Sequence, residues 1–242
     1  MTAGPAGGRF ATTRWTVVNA AGRRSDPDAE GALAELCQIY WPPLYSYLRR
    51  HGHDCDEAQD LTQGFFARLL ERQDLQAADP ARGQFRGFLL TALKRYVINE
   101  HERTASVRRG GGHVPISLDF EEAERTYTLE RRNDDTPERV FDRKWATIAL
   151  DRALRRLREE CQLAGKSTIA DALLPYLTDT GELPAYRAVA AELELTEGAV
   201  KVAVHRLRQR FGAILRLEIS ETVVGSDEID DEMRELIRAV SA

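Results

Sequence analysis

The chain has 242 residues, of which 43% are hydrophobic and 30% are charged, and its formal net charge is −5 at pH 7. This apolar fraction is enough for one large or two small packed domains, whereas no apolar run approaches the roughly 20 residues of a membrane-spanning helix. Apolar residues recur at helical spacing instead of in alternating runs, so the sequence predicts an all-α protein.

The cysteines and the N-terminal residues indicate the compartment. Cys37, Cys55 and Cys161 are an odd number and widely spaced, which is typical of a reducing cytosol and not of a disulfide framework. The first residues lack the apolar core of a signal peptide. We therefore expect a cytoplasmic protein with an N-terminal extension over residues 1–27, whose flexible start becomes ordered near residues 15–18.

The first organised segment begins near residue 28, and residues 32–48 carry a helical apolar pattern. Within it, Pro42 and Pro43 predict a kink or a restart of the helix, because proline lacks an N–H donor and clashes with the preceding turn. Gly52 is expected to end this helix.

A second helix is predicted from Asp54, the N-cap of a capping box that Glu57 completes, to about residue 72. Its buried stripe consists of Ala58, Leu61, Phe65 and Leu69. Its opposite, mostly acidic face includes Asp56, Asp60 and Gln63. This face is either a solvated surface or a docking surface for a basic partner.

Residues 84–103 interleave aromatic and basic side chains. Such a pattern suits single-stranded DNA, because bases stack on aromatic rings while phosphates need countercharge. The candidate DNA-binding residues are Arg86, Lys94, Arg95, Asn99 and Arg103. The alternative is that the aromatic side chains are core, and for Phe85 and Phe88 this alternative is at least as strong.

Catalytic and metal sites are not indicated. His51, His53 and Cys55 alternate across a helix end, a spacing that matches no usual zinc set, and helix capping or ordinary surface positions explain them better. The sequence also lacks a phosphate-binding loop, a glycine-rich nucleotide motif and an obvious nucleophile–base pair. We therefore expect a protein that is not an enzyme and needs no cofactor or metal.

Residues 186–211 predict two short helices joined by a tight turn. The first covers 187–193, and the second starts at its N-cap, Thr196. The outward face of the second helix carries Glu197, Lys201, His205, Arg206 and Arg208. The arrangement is typical of a helix-turn-helix whose second helix enters the DNA major groove, the alternative being a solvated face of a bundle. Glu194 argues against it, because a left-handed turn residue with a side chain costs ~1 kcal/mol.

Two parts of the chain resemble bacterial RNA polymerase sigma factors of the extracytoplasmic-function (ECF) group. Residues 54–103 resemble region two, and residues 141–216 resemble region four. The matching sequences are EAQDLTQGFF at 57–66, FRGFLL at 85–90 and the helix-turn-helix AAELELTEGAVKVAVHRLR at 190–208. The order and spacing of the two regions is a more specific signal than a helix-turn-helix alone.

The resemblance implies two small helical domains joined by a flexible linker. The implied ranges are 28–104 for region two, 105–136 for the linker, 137–223 for region four and 224–242 for an additional acidic helix. Region three is absent between them, as in this group.

The resemblance also implies partners and roles. Asp56, Asp60 and Gln63 would dock onto core RNA polymerase, and residues 86–103 would recognise and help melt the minus-ten promoter element. The residues implied to read the minus-thirty-five element are Thr196, Glu197, Lys201, His205, Arg206 and Arg208. The protein would be a sigma factor that directs transcription initiation. The alternative is a stand-alone helix-turn-helix regulator that does not bind core polymerase.

The docking helix departs from the group at three positions. Gln59 and Gly64 stand where acidic residues are common, and Thr62 replaces an apolar residue. We hypothesise that core affinity stays low until Thr62 is phosphorylated, which adds about −1.5 to −2 charge. A Ser/Thr kinase then joins an anti-sigma factor as a candidate regulator. The stronger alternative is that Thr62 lies near the buried stripe, where a phosphate would disrupt packing.

Charge is unevenly distributed along the chain. Residues 82–109 hold seven basic and two acidic side chains, whereas residues 218–242 hold eight acidic side chains and two arginines. Ser226 starts a last amphipathic helix, and such a helix needs a surface on which to dock. We hypothesise that this acidic helix restrains DNA binding by competing for a basic surface.

Overall fold

The computed structural model describes residues 29–71, 84–106, 118–130, 135–178, 181, 183–220 and 226–241. Within these ranges the chain forms helices and no strands, which confirms the predicted all-α fold. The helices are α1 (Ala29–His51), α2 (Cys55–Glu71), α3 (Phe85–Ser106), α4 (Phe120–Glu130), α5 (Pro137–Leu163), α6 (Ser167–Leu173), α7 (Pro175–Thr178), α8 (Tyr186–Glu192), α9 (Glu197–Ser220) and α10 (Ser226–Ser241). Among the described residues, no helix combines the length and apolarity that a bilayer crossing requires. The expected extension over 1–27 lies outside the described residues.

The described chain divides into two compact units. The first contains the described residues up to Ala146 together with those from Ser220 onward, and the second contains Thr147–Ile219. This division differs from the expected boundary between 136 and 137, because the start of α5 belongs to the first unit. It also places α10 in the first unit and not in a separate segment.

The proline pair does not restart the first helix. α1 continues through Pro42 and Pro43, although a proline inside a helix costs about 3 kcal/mol or more. The aromatic residues beside the pair are buried, and Tyr40 packs edge-to-face on Phe85 with ring centroids 5.3 Å apart. This burial offsets the cost of the prolines. α1 then ends as predicted at Gly52, whose φ is +110°.

The expected linker is largely helical where the structure describes it. We expected a flexible tether over 105–136, but α4 occupies its centre and buries Phe120, Ala123 and Tyr127 on one face. Phe120 packs edge-to-face on Trp41 of α1, with ring centroids 5.0 Å apart. The flexible linker was predicted from the basic, glycine-rich stretch 108–113, which lies outside the described residues. The spacing of the three apolar residues anchors α4 on α1.

An ion pair fixes α4 on α1. Arg49 donates to both carboxylate oxygens of Glu124, at 2.8 and 2.7 Å, and the Tyr45 hydroxyl donates to the same carboxylate at 2.7 Å. The hydrogen bonds from Arg49, supported by the one from Tyr45, hold the pKa of Glu124 below its ordinary value. The carboxylate is therefore better stabilised in the folded than in the unfolded protein.

We expect Glu124→Gln to lower the free energy of unfolding by about 1–2 kcal/mol at pH 7. Because the folded pKa is depressed, this stabilisation is present above the unfolded pKa of about 4.3 and is lost as the pH falls toward the folded value. Urea unfolding at pH 7 and again below pH 4 measures this difference. Glu121→Gln, at an exposed position of the same helix, is the control, and an equal loss in both variants would contradict the prediction.

The second unit has a small core of its own. The buried side chains are Leu173, Tyr176, Val189, Ala190, Val200 and Val204. They come from α6 to α9, so the core fixes α8 against α9. On the surface, Arg210 of α9 donates to both carboxylate oxygens of Glu160 at 2.7 Å, which ties α9 to the end of α5.

Candidate nucleic-acid interface

The turn between α8 and α9 lies where the sequence predicted it. The Thr196 hydroxyl accepts a hydrogen bond from the Ala199 N–H at 3.1 Å and so caps α9. Glu194 has φ +54°, which is the left-handed conformation that we identified as costly for a residue with a side chain. The Leu195 N–H donates to the Ala190 carbonyl at 2.8 Å, and this bond holds the turn closed around Glu194.

The basic face of α9 is accessible. Lys201, His205 and Arg206 are exposed. The Lys201 ammonium lies 2.7 Å from a carboxylate oxygen of Glu197, and this hydrogen bond lowers the pKa of Glu197. Arg208 is exposed as well, but it donates to the Tyr176 carbonyl at 3.0 Å, so part of its hydrogen-bonding capacity is used inside the second unit. An exposed basic row of this kind can contact a phosphate backbone.

Arg86 is not available to DNA, which corrects our expectation. Its side chain is only 7% exposed, and its guanidinium lies over the Trp145 ring, 4.9 Å from the centroid. It donates to the Glu232 carboxylate at 2.7 and 3.0 Å, to Glu235 at 2.7 Å and to Asp142. Arg86 is therefore the centre of a buried ion cluster, and contact with DNA would require this cluster to come apart.

Two of these carboxylates, those of Glu232 and Glu235, belong to the acidic C-terminal helix α10. Glu232 is fully buried and Leu236, one turn later, is 1% exposed, so α10 is part of the packed first unit. We had hypothesised that the helix competes for a basic surface. The structure shows that it engages Arg86, which belongs to the predicted minus-ten segment, through a buried contact.

The other predicted residues of α3 keep more exposure. Arg95 and Asn99 are exposed and line a cavity of about 250 Å³ together with Phe65, Arg68, Phe88 and Tyr96. The Arg68 guanidinium lies 5.7 Å from the centroid of the Tyr96 ring. The cavity thus combines aromatic walls with two cations and an amide. Phe85, by contrast, is 1% exposed and belongs to the core, in agreement with the alternative that we stated for it.

Lys94 and Arg103 are both engaged in ion pairs. The Lys94 ammonium lies 2.8 Å from Glu138 and 5.5 Å from the centroid of the Tyr47 ring. The Arg103 guanidinium lies 2.9 Å from Glu100 on the same helix. The five predicted residues therefore do not form one surface: Arg95 and Asn99 share a cavity, Arg86 is buried, and the remaining two have acidic partners.

The polar face of α2 is accessible to solvent. Asp56 and Asp60 are exposed, and Gln63 is half-buried. The helix starts as the sequence predicted, because the Glu57 N–H donates to the Asp54 carboxylate at 2.9 Å. Leu61 and Phe65, on the other side of the helix, are buried.

Thr62 is fully buried, and this argues against its phosphorylation. Its side chain is 0% exposed, and its hydroxyl donates to the Ala58 carbonyl at 2.7 Å. A kinase cannot reach this hydroxyl in the folded protein, and the packed site has no room for a phosphate. The alternative that we set beside the hypothesis, a threonine in the buried stripe, is what the structure shows.

Sequence reasoning missed some residues at these sites. Arg68 lines the cavity but lies outside the basic segment in which we searched. Arg68 lies three residues after Phe65, and residues three apart share a helix face. This spacing could have placed Arg68 beside the Phe65 ring. No local pattern in the sequence indicates that Arg86 pairs with Glu232 and Asp142.

The comparison with known families finds a match within the first unit. Residues 36–107 match the family model described as sigma-70 region 2. No curated protein and no solved structure gives a significant match. The sigma-70 family consists of non-enzymatic transcription initiation factors whose partners are core RNA polymerase and promoter DNA, which gives coarse support to the expectation that the chain is not an enzyme. Residues 36–107 are therefore similar to sigma-70 region 2, and this likeness supports a member of the RNA polymerase sigma-70 family.

Proposed function

We propose that the protein is a sigma factor of the ECF group that binds core RNA polymerase in the cytoplasm and directs promoter recognition, DNA melting and initiation. The observation that carries the proposal is the region 2 match over 36–107, within which α2 presents an open polar face and α3 borders an aromatic, cationic cavity. The assignment to the ECF group depends on the resemblance of both regions at their observed spacing.

The polymerase contact is assigned to α2. Asp56 and Asp60 are exposed on one side of the helix while Leu61 and Phe65 are buried on the other. A partner can therefore contact the carboxylates without disturbing the core. The proposed partner surface is basic, because the exposed side chains here are mostly acidic.

The minus-ten contact is assigned to the cavity beside α3. Single-stranded nucleic acid is held by aromatic rings that stack on bases and by cations that neutralise phosphates. Phe88 supplies a half-buried ring, and Arg68 and Arg95 supply cations, around a cavity of about 250 Å³. Asn99 adds an amide that can donate to and accept from a base edge.

The minus-thirty-five contact is assigned to α8 and α9 as a helix-turn-helix. In such a motif the residues at the start of the second helix approach base edges, and neighbouring cations hold phosphates. Glu197 and Lys201 occupy the first turns of α9, and His205 and Arg206 follow on exposed positions. Arg208 is expected to contribute less, because it is bonded to the Tyr176 carbonyl.

Run-off transcription with bacterial core polymerase and a pool of promoter fragments tests the function. We expect transcripts that start at a fixed distance from a shared two-part motif. Lys201→Ala and Arg206→Ala should each weaken promoter binding by the holoenzyme by about 1–3 kcal/mol. Asp60→Arg should abolish binding to core polymerase, because it reverses the charge at the centre of the docking face.

The matched control is Arg158→Ala, which removes an exposed arginine of the second unit that lies 3.8 Å from Asp171. This variant should transcribe like the unmodified protein. Duplex binding without any binding to core polymerase would overturn the proposal and favour the stand-alone regulator.

A further inference from the structure

Three potential metal ligands from separate parts of the chain meet in the first unit. His53 lies between α1 and α2, Glu57 is in the first turn of α2, and His101 is near the end of α3. His53 Nδ1 lies 3.1 Å from Glu57 Oε2, and His101 Nε2 lies 3.7 Å from Glu57 Oε1. One donor atom from each side chain lies within 4.8 Å of the other two. We propose that His53, Glu57 and His101 bind one divalent transition-metal ion, with Zn²⁺ as the best match.

The donor set suits zinc. Two imidazole nitrogens and one carboxylate are among the ligand sets of Zn²⁺ sites with three protein ligands, in which a fourth position is left for water or another group. Two donors that are each about 2 Å from one ion lie no more than about 4 Å apart. The observed separations therefore need only a small contraction. Glu57 and His101 are about half-exposed, so rotation of these two side chains can supply it.

The least mobile ligand is already positioned. His53 is 8% exposed, its ring stacks on that of His51 with centroids 5.8 Å apart, and the His101 ring meets it edge-on at 5.7 Å. Arg49 donates to the His53 carbonyl at 2.7 Å, which fixes the backbone at this point.

A bound ion would add a link between α2 and α3, which also meet where the Phe65 ring packs on the Tyr96 ring. The ordinary explanation of the cluster is that Glu57 pairs with the two imidazoles and binds nothing else. A metal site predicts saturable uptake of one ion per chain, which side-chain pairing alone does not.

The test is titration of the purified, metal-free full chain with Zn²⁺ in competition with a chromophoric chelator. We expect saturation at one ion per chain and an increase in the melting temperature. His101→Ala should weaken zinc binding at least tenfold. Glu57→Gln should also weaken zinc binding at least tenfold, because it replaces the carboxylate with an amide while the side chain stays in place.

The matched control is His205→Ala, which removes an exposed histidine of the second unit and should leave zinc affinity unchanged. Binding that does not saturate at one ion, or that is equal in His101→Ala and the unmodified chain, would overturn the proposal. Because the readouts are metal affinity and thermal unfolding, the result is independent of whether the protein initiates transcription.

Discussion

Replacing Arg86 with alanine is expected to lower the free energy of unfolding of the first unit by about 3–5 kcal/mol, because it leaves buried carboxylates without a countercharge. Glu232 is fully buried, whereas Asp142 and Glu235 keep 39% and 50% of their side-chain exposure, so the cost arises mainly at Glu232. Chemical unfolding followed by tryptophan fluorescence measures it. Trp41 and Trp145 are buried in the first unit, and residues 147–219 contain no tryptophan.

The defect should depend on pH. Burial raises the pKa of Glu232, and Arg86 is the main influence that opposes this rise. Without Arg86 the pKa rises further, and a carboxyl group whose folded pKa lies above its unfolded pKa costs stability as the pH rises from the unfolded value toward the folded one. We therefore expect Arg86→Ala to be more destabilising at pH 8 than at pH 5.

Two further variants separate the ion pair from general damage. Arg234→Ala on α10 removes an exposed arginine that is 66% accessible, and it should change stability by less than about 0.5 kcal/mol. The double variant Arg86→Met with Glu232→Leu should recover much of the loss, because a hydrophobic pair can replace a buried ion pair. A loss below about 1 kcal/mol for Arg86→Ala alone would show that Glu232 reaches water and that the cluster is not rigid.

Thr62→Asp should be the second most damaging substitution, at about 3–5 kcal/mol, because it places an unpaired charge at a fully buried position. This loss would leave a typical domain close to unfolding. Thr62→Val has nearly the same shape and gives up only the hydrogen bond to the Ala58 carbonyl, so it should cost about 0.5–1.5 kcal/mol. Circular dichroism during thermal unfolding compares the two variants.

This pair of variants also decides the regulatory hypothesis for Thr62. If a negative charge at this position strengthened binding to core polymerase, Thr62→Asp would be folded and more active than Thr62→Val. The burial of Thr62 predicts the reverse, which is an unstable and less active Thr62→Asp protein. Normal stability of Thr62→Asp would contradict our interpretation of the site.

Local signals in the sequence located much of the fold. Asp54 and Thr196 cap the helices that follow them, because a cap depends only on residues within one turn. Glu194 was recognised as the costly turn residue for the same reason. The apolar spacing in α2 and α9 likewise separated the buried faces from the exposed ones, whereas in α3 it placed the buried Arg86 on the exposed side.

Long-range pairings were not predictable from the sequence. Glu124 lies 75 residues from Arg49, and Glu232 lies 146 residues from Arg86. The acidic side chains of α4 and α10 were therefore assigned to a linker and to a helix whose docking surface was unknown, although each helix contributes a carboxylate to an ion pair of the first unit. Arg86 was predicted to be accessible because its neighbours along the chain do not include the residues that cover it.

The discontinuous first unit has a consequence for synthesis. Its helices α1 to α4 are made first, but Glu232 is added 146 residues after Arg86. At about 5–20 residues per second, this delay is roughly 7–30 seconds. The second unit is continuous in sequence, so it can fold before the first is complete. A nascent chain that stops before residue 232 would therefore leave Arg86 without its buried partner, and its first unit would be open to proteases.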